Sequence, residues 1–212
     1  MTPVSVEIAV DGGQGYGFGH LSRSQTLAGA LARAGAEVRF TPRSGIACEV
    51  LEERPRATGA ETVLVLDLPY ADDAAITAAR QAGRKVAVLD HVGQAEADLA
   101  LRTDPRPIPM AAQRCEYGLK YAMIRSEILA QAPTRGDHVL ICVGGSDLGD
   151  LGVEAARRLS GQGLRVVLVR GPLAAPLTAA PAGVEVRVAP PDLPALMARC
   201  AFAVTNAGTT AL

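Results

Sequence analysis

Val4, Val6, Ile8 and Val10 fall on alternate positions, the two-residue period of a β-strand over 4–10. The period then changes. Ser24, Leu27, Ala28, Leu31 and Ala34 recur at the spacing of one helix face, and Gly35 stops that helix. Short apolar strands are predicted at 37–40 (EVRF), 62–67 (TVLVLD) and 85–90 (KVAVLD), with helical stretches around 44–53 and 72–82 between them. Apolar strands alternating with amphipathic helices define a parallel sheet covered on both faces.

RTDPRPIP, 102–109, is too rich in proline for the interior of a strand or helix. YGLKYAMIRSEILAQ reads as helical in part, and APTRGD, 132–137, as a linker. A second series opens with HVLICVGGSD (138–147). It continues through a helix near 151–160, strands at 165–171 and 184–188, a helix near 192–199 and the strand of AFAVTNAG (201–208). The expected fold is therefore α/β: two Rossmann-like parallel-sheet domains, 1–131 and 138–212, facing a cleft. AVTNAGTTAL supplies a strand, a turn and one barely nucleated helical turn, so the second domain reads as truncated.

Composition narrows the chemistry. The 212 residues are 49% hydrophobic and 20% charged, an ordinary globular balance, and a formal net charge of −1 leaves no footprint for nucleic acid or an acidic membrane. Aromatic content of 3% with no tryptophan argues against a base-stacking platform. Cys48, Cys115, Cys142 and Cys200 have no ligand spacing and read as idle thiols in a reducing compartment, so no metal site is expected. The N-terminal stretch lacks signal-peptide character and no run approaches membrane-spanning length, which makes the cytoplasm the expected location.

Candidate chemistry begins at GQGYGFGHLSRSQTLAGALA, 15–34. Gly15, Gly17 and Gly19 let backbone and ligand approach closely. His20 follows at the start of the helix, where unpaired N–H groups and the positive dipole end disfavour imidazolium and attract phosphate. That is the setting of a general base beside an anion; the structural alternative is a tight turn with an incidental histidine. The stretch is neither a dinucleotide fingerprint nor a P-loop.

In ICVGGSD, Gly144 and Gly145 end a buried strand, and Ser146 and Asp147 are either helix N-caps or a second phosphate- or sugar-facing loop. Thr209 and Thr210 carry the same two readings, N-cap or pyrophosphate contact. Asp67 and Asp90 sit at C-terminal ends of parallel strands, where open α/β sheets place ligands and where aspartates also cap turns. Tyr121 and Arg125 stand one helical turn apart, so both could point into a cleft, with a plain ion pair the alternative for Arg125. His91 and His138 read as structural or exposed, and three dispersed histidines assemble no Ser-His-Asp set.

Taken in order, GYGFGHLSRSQTLA, VLDL, VLDH, CEYGLKYAMIR, ICVGGSD and TNAGTTAL resemble the hydrolases of pseudaminic acid biosynthesis that act on UDP-2,4-diacetamido-2,4,6-trideoxy-β-L-altropyranose. Their superfamily also holds the N-acetylglucosaminyltransferase that makes lipid II, and its fold is the two-domain GT-B arrangement. The resemblance spans essentially the whole chain. It implies that His20 assists a water attacking the anomeric carbon, releasing UDP with no metal and no cofactor. Gly17, Gly19 and Arg23 match the glycine–histidine element, and Tyr70, in DLPYADD, stands where relatives carry a tyrosine after the third strand's aspartate. Tyr121 and Arg125 are implied as further substrate contacts. Gly144, Gly145, Ser146, Asp147, Asn206, Gly208, Thr209 and Thr210 are implied as the nucleotide-binding set. The implied partner is a UDP-activated diacetamido sugar. The alternatives are a GT-B glycosyltransferase using a UDP-amino sugar, and a truncated, non-catalytic sugar-nucleotide binder.

Overall fold

The computed structural model describes residues 3–13, 16–45, 47, 51, 62–90, 93–104, 106–145 and 150–206. The chain divides into two compact units, Met1–Tyr16 with His20–Met123, and Gly17–Gly19 with Ile124–Leu212. Most of the helical stretch expected at 44–53 lies outside the described residues.

The first unit contains β1 (Ser5–Val10), α1 (Gly19–Arg33), β2 (Glu37–Pro42), β3 (Val63–Asp67), α2 (Asp73–Gln81), β4 (Lys85–Leu89), β5 (Ala97–Arg102) and β6 (Ala112–Tyr117). Its sheet has the order β2-β1-β3-β4-β5-β6, and every pairing is parallel. A strand with neighbours on both sides and layers on both faces buries both sets of side chains, and accordingly Val6, Ile8, Ala9 and Val10 are all buried. Glu7 alone on β1 is half-buried and is neutralised by Arg84 at 2.7 Å and Arg39 at 3.4 Å. Leu64, Leu66, Val86 and Val88 pack with Ile76 and Ala79 of α2, whose start is capped by the Asp72 carboxylate accepting the Ala75 N–H at 3.1 Å.

Two of these strands are not predicted from the sequence. ADLALR is alanine-rich and AQRCEY is polar because β6 lies at the sheet edge, so neither shows a strong apolar run. Among the described residues, no helix links β4 to β5 or β5 to β6. Asp73, in the first turn of α2, ties the first link down by accepting the N–H groups of Gln94 and Ala95 at 3.0 Å.

The region after β6 is also different from the helix expected there. Leu119–Tyr121 is a single 3-10 turn, and the chain is extended at Ala122 (ψ 128) and at Arg125 (ψ 138) before a one-turn helix, α3 (Ser126–Leu129). Tyr121 and Arg125 therefore do not share a helix face. A helix needs several consecutive residues fixed before hydrogen bonds compensate, and this stretch buries no apolar side for one. Tyr121 instead donates its hydroxyl to Glu116 on β6.

The second unit contains β7 (His138–Cys142), α4 (Leu151–Ser160), β8 (Val166–Arg170), β9 (Val184–Val188), α5 (Leu193–Arg199) and β10 (Cys200–Thr205), ordered β10-β7-β8-β9, again all parallel. β7 and β8 are buried throughout. Val153 and Ala156 of α4 cover Val139, Ile141, Val166 and Leu168, while Leu196 of α5 covers Leu140, Cys142, Val167 and Val169 on the opposite face. Each of the valine, leucine and isoleucine side chains among these contributes about 1.5–3 kcal/mol on full burial.

Candidate functional site

In an open parallel sheet, ligands bind beyond the carboxyl ends of the strands where the strand order reverses. In the first sheet the chain runs from β1 outward to β2, then returns to β3 on the other side of β1, so the reversal lies between β1 and β3. Val10 and Asp67 are register partners there, which puts Asp11, the next residue after β1, at the same edge as Asp67.

Helix α1 begins at this edge. His20, Arg23 and Ser24 occupy i, i+3 and i+4, one face of the helix. All three converge on Asp67, which has no exposed surface. Its Oδ1 lies 2.6 Å from His20 Nδ1 and 2.5 Å from Arg23 Nη2; Arg23 Nε donates to both oxygens at 2.9 and 3.0 Å, and Ser24 Oγ donates to Oδ2 at 2.8 Å. Burial pushes the Asp67 carboxyl up, but hydrogen bonds from His20 and Arg23 and the Arg23 charge outweigh it and hold the group below its ordinary value.

An ionised acceptor 2.6 Å from Nδ1 assigns the imidazole proton to that nitrogen. Arg23 Nη2 also lies 3.1 Å from Nδ1, but both atoms are donors in this assignment, so no hydrogen bond joins them, and Nη2 donates to Asp67 Oδ1. Nε2 is then the basic nitrogen, on a side chain that keeps 20% exposure. The helix terminus argued from sequence is present, and the buried carboxylate is the larger influence on which nitrogen carries the proton.

Arg23 also reaches Asp90, at the end of β4, through Nη1 at 2.5 Å. Asp90 holds φ at +52, a left-handed conformation uncommon outside glycine. The guanidinium thus bridges the ends of β3 and β4, which gives both strand-end aspartates a structural partner.

Beside this cluster, Asp11 accepts the Gly12 N–H at 2.7 Å and the Tyr70 hydroxyl at 2.9 Å. Burial pushes the Asp11 carboxyl up, and hydrogen bonds from Ser44, Gly12 and Tyr70 with the nearby His20 bring it below its ordinary value. Burial, with the same hydrogen bond, pushes the Tyr70 phenol up to about 12. The Tyr16 ring stands 6.2 Å from that of Tyr70, tilted by 55°. Gly17, at φ +73, and Gly19, the first residue of α1, have open space where a side chain would stand.

In the second sheet the reversal lies between β7 and β10, where Cys142 pairs with Thr205. Gly144 follows at φ +94, and a Cβ there would lie 3.0 Å from Asn206 Nδ2, so these two candidates meet. The Gly145 carbonyl accepts the Leu173 N–H at 3.1 Å, and the loop after β8 approaches so closely that a Cβ on Gly171 would lie 2.2 Å from the same oxygen. Arg170, buried at the end of β8, faces Asp150 at 3.6 Å. Ser146, Asp147, Gly208, Thr209 and Thr210 lie outside the described residues, as do Gly15 and His91. His138 is buried at the start of β7 and pairs with Asp137 at 2.5 Å, at the opposite end of the sheet from these loops.

Asp11, Tyr16 and Ser24 were not singled out as site residues by sequence reasoning. Asp11 had a signal, since a carboxylate directly after the first strand lies at the same sheet end as Asp67. Ser24 had one too: a polar stripe at 20, 23 and 24 runs into the apolar face of α1 and needs a buried partner. Tyr16 had none. Among the described residues, no cluster of three or more His, Cys, Asp or Glu side chains could hold a metal ion, and no helix is long and apolar enough to cross a membrane.

The two sheets, their orders and their helical layers define a GT-B-like α/β protein built from two Rossmann-like units. No protein-family model and no curated protein matches the chain. Among solved structures it is similar to MurG of Acinetobacter baumannii, with a TM-score of 0.61 and 14% sequence identity over 99% of this chain and 74% of that one. At that identity the likeness is one of fold.

Proposed function

We propose that this chain acts on a nucleotide-activated sugar, and that its reaction is hydrolysis of a UDP-diacetamido-trideoxyhexose of the kind its motifs imply. The observation that carries this reading is the His20–Asp67 pair, an imidazole with Nδ1 committed to a buried carboxylate and Nε2 left basic at the reversal point of a parallel sheet. Water gives a proton to Nε2 as its oxygen bonds to the anomeric carbon. The bond from that carbon to the β-phosphate oxygen breaks, and UDP leaves with the electron pair. Asp67 positions the ring and offsets the charge of the imidazolium that forms. In the second unit, Gly144, Gly145 and Asn206 are the proposed nucleotide contacts, with Ser146, Asp147, Gly208, Thr209 and Thr210 completing the set that the resemblance implies. Gly17, Gly19, Arg23, Tyr70, Tyr121 and Arg125 are the proposed sugar-side set, Arg23 acting by holding Asp67.

The test is UDP release from UDP-2,4-diacetamido-2,4,6-trideoxy-β-L-altropyranose in ¹⁸O-water, with His20→Ala alongside. Release that falls by roughly 10²–10⁴ without His20 is expected of a general base, with the label on the sugar. Full activity of His20→Ala refutes the assignment, and label on UDP moves the attack to phosphorus. The second reading is a glycosyltransferase in which Nε2 takes the proton of an acceptor hydroxyl, since one fold hosts both chemistries. UDP release that requires an acceptor would select it.

A further inference from the structure

Two of the chain's four tyrosines stand exposed together. Tyr16 is 55% and Tyr70 38% accessible, in a chain whose aromatic content is only 3%. Rings of this size gain most from burial, so an exposed pair contributes little to folding and is available to a ligand. The Tyr70 hydroxyl has a structural duty, closing its loop onto Asp11, but that duty explains neither ring face nor Tyr16.

The geometry narrows what such a ligand can be. With centroids 6.2 Å apart and planes tilted by 55°, the rings touch each other and admit no flat base between them. Their exposed outer surface is an apolar ledge that suits the C–H groups of a puckered ring or a methyl group. Beside the rings lies the Asp11 carboxylate, 7% exposed, which accepts from Gly12, Tyr70 and Ser44. A carboxylate has about four acceptor positions, so it can take a further donor. Its charge repels phosphate and attracts O–H and N–H groups. A neutral ligand with apolar C–H surface and hydrogen-bond donors meets both demands.

We infer that Tyr16, Tyr70 and Asp11 form a subsite for the sugar ring of the substrate, the rings taking its C–H face and Asp11 a hydroxyl or amide N–H. This rests on the nucleotide-sugar reading above and adds to it the side chains that recognise the sugar. Asp11 follows β1 at the sheet end where Asp67 holds His20, so the subsite and the proposed base share that end, where the anomeric carbon has to lie.

The experiment is calorimetric titration of the full chain with UDP and, separately, with UDP-N-acetylglucosamine, for wild type, Tyr16→Ala and Asp11→Asn. Wild type is expected to bind the nucleotide sugar more tightly than UDP. Tyr16→Ala, a change at an exposed ring, weakens nucleotide-sugar binding roughly tenfold and leaves UDP unchanged, as expected for one lost aromatic contact. Asp11→Asn is expected to do the same to a lesser degree. Tyr16→Ala binding the nucleotide sugar like wild type, or either variant weakening both ligands equally, overturns the subsite while the nucleotide reading stands. Failure of wild type to bind either ligand overturns the nucleotide-sugar reading, and the subsite with it.

Discussion

Replacing Asp67 with asparagine keeps the shape of the buried side chain and removes its charge. The carboxylate accepts from His20, Arg23 and Ser24, whereas an asparagine offers one acceptor oxygen and an NH₂ that must face one of those donors. Arg23, whose side chain is 13% exposed, would then have only Asp90 as counter-charge. Removing one partner of a buried ion pair costs about 3–5 kcal/mol, and the isosteric change belongs near the lower end. With a urea slope of about 2 kcal/mol per molar, the unfolding midpoint should fall by roughly 1.5 M. A pH dependence accompanies this. The folded Asp67 carboxyl lies below its ordinary value of 3.8, so its stabilisation is fully present above that value and is lost as pH falls through the folded pKa. Wild type should therefore lose stability below about pH 4 more steeply than the variant. The histidine reports separately: the asparagine NH₂ can donate to Nδ1, moving the ring proton to Nε2, a change visible in imidazole ¹⁵N shifts. An Asp67→Asn variant that keeps the Nδ1–H form and melts within about 0.5 kcal/mol of wild type, the scatter of an ordinary surface change, would refute the reasoning.

Arg23→Lys is expected to lower stability by about 1–3 kcal/mol in urea unfolding, because a point charge cannot bridge Asp67 and Asp90 as a planar fork does. Gly144→Ala should cost about 1–2 kcal/mol from its positive φ alone, read as a lower melting temperature, and its Cβ would also press on Asn206. Gly171→Ala should be worse, since a Cβ 2.2 Å from the Gly145 oxygen forces one backbone away from the other; loss of the hydrogen-exchange protection of Leu173 N–H would mark it. Leu168→Ala, at a fully buried position on β8, should destabilise by about 2–5 kcal/mol in the same urea assay.

The fold was legible where the chain is apolar on both faces of a strand, as in VLVLD and VVLVR, because only a central parallel strand needs that pattern. It was not legible at β5 and β6, where alanine and polar residues make strands by pairing with an edge that already exists. The 121–125 stretch misled for a related reason: helical spacing of two polar residues says nothing when no apolar face supports the helix. In the site, the histidine and the strand-end aspartates could be picked out one by one. What sequence could not supply was the convergence of His20, Arg23 and Ser24 on one carboxylate, since that depends on the register of β1 with β3 and on where α1 starts. The exposed Tyr16–Tyr70 pair is likewise a product of two turns meeting, with no periodicity to announce it.

That convergence also bears on whether the cluster is structural or chemical. Arg23 spends its protons on Asp67 and Asp90, Ser24 spends its hydroxyl on Asp67, and Asp67 is saturated by its donors. Asp90 is held in a left-handed conformation with its N–H on the Leu101 carbonyl at 2.9 Å and its carboxylate on Arg23. These groups satisfy one another, which is what a buried polar network needs for stability. His20 is different. Only its Nδ1 is used, while Nε2 has no hydrogen bond among the described residues and the side chain stays partly exposed. A purely structural role for residue 20 could be filled by any donor to Asp67. An imidazole adds to such a donor a second nitrogen with a free lone pair, and it is this nitrogen that the proposed proton transfer uses.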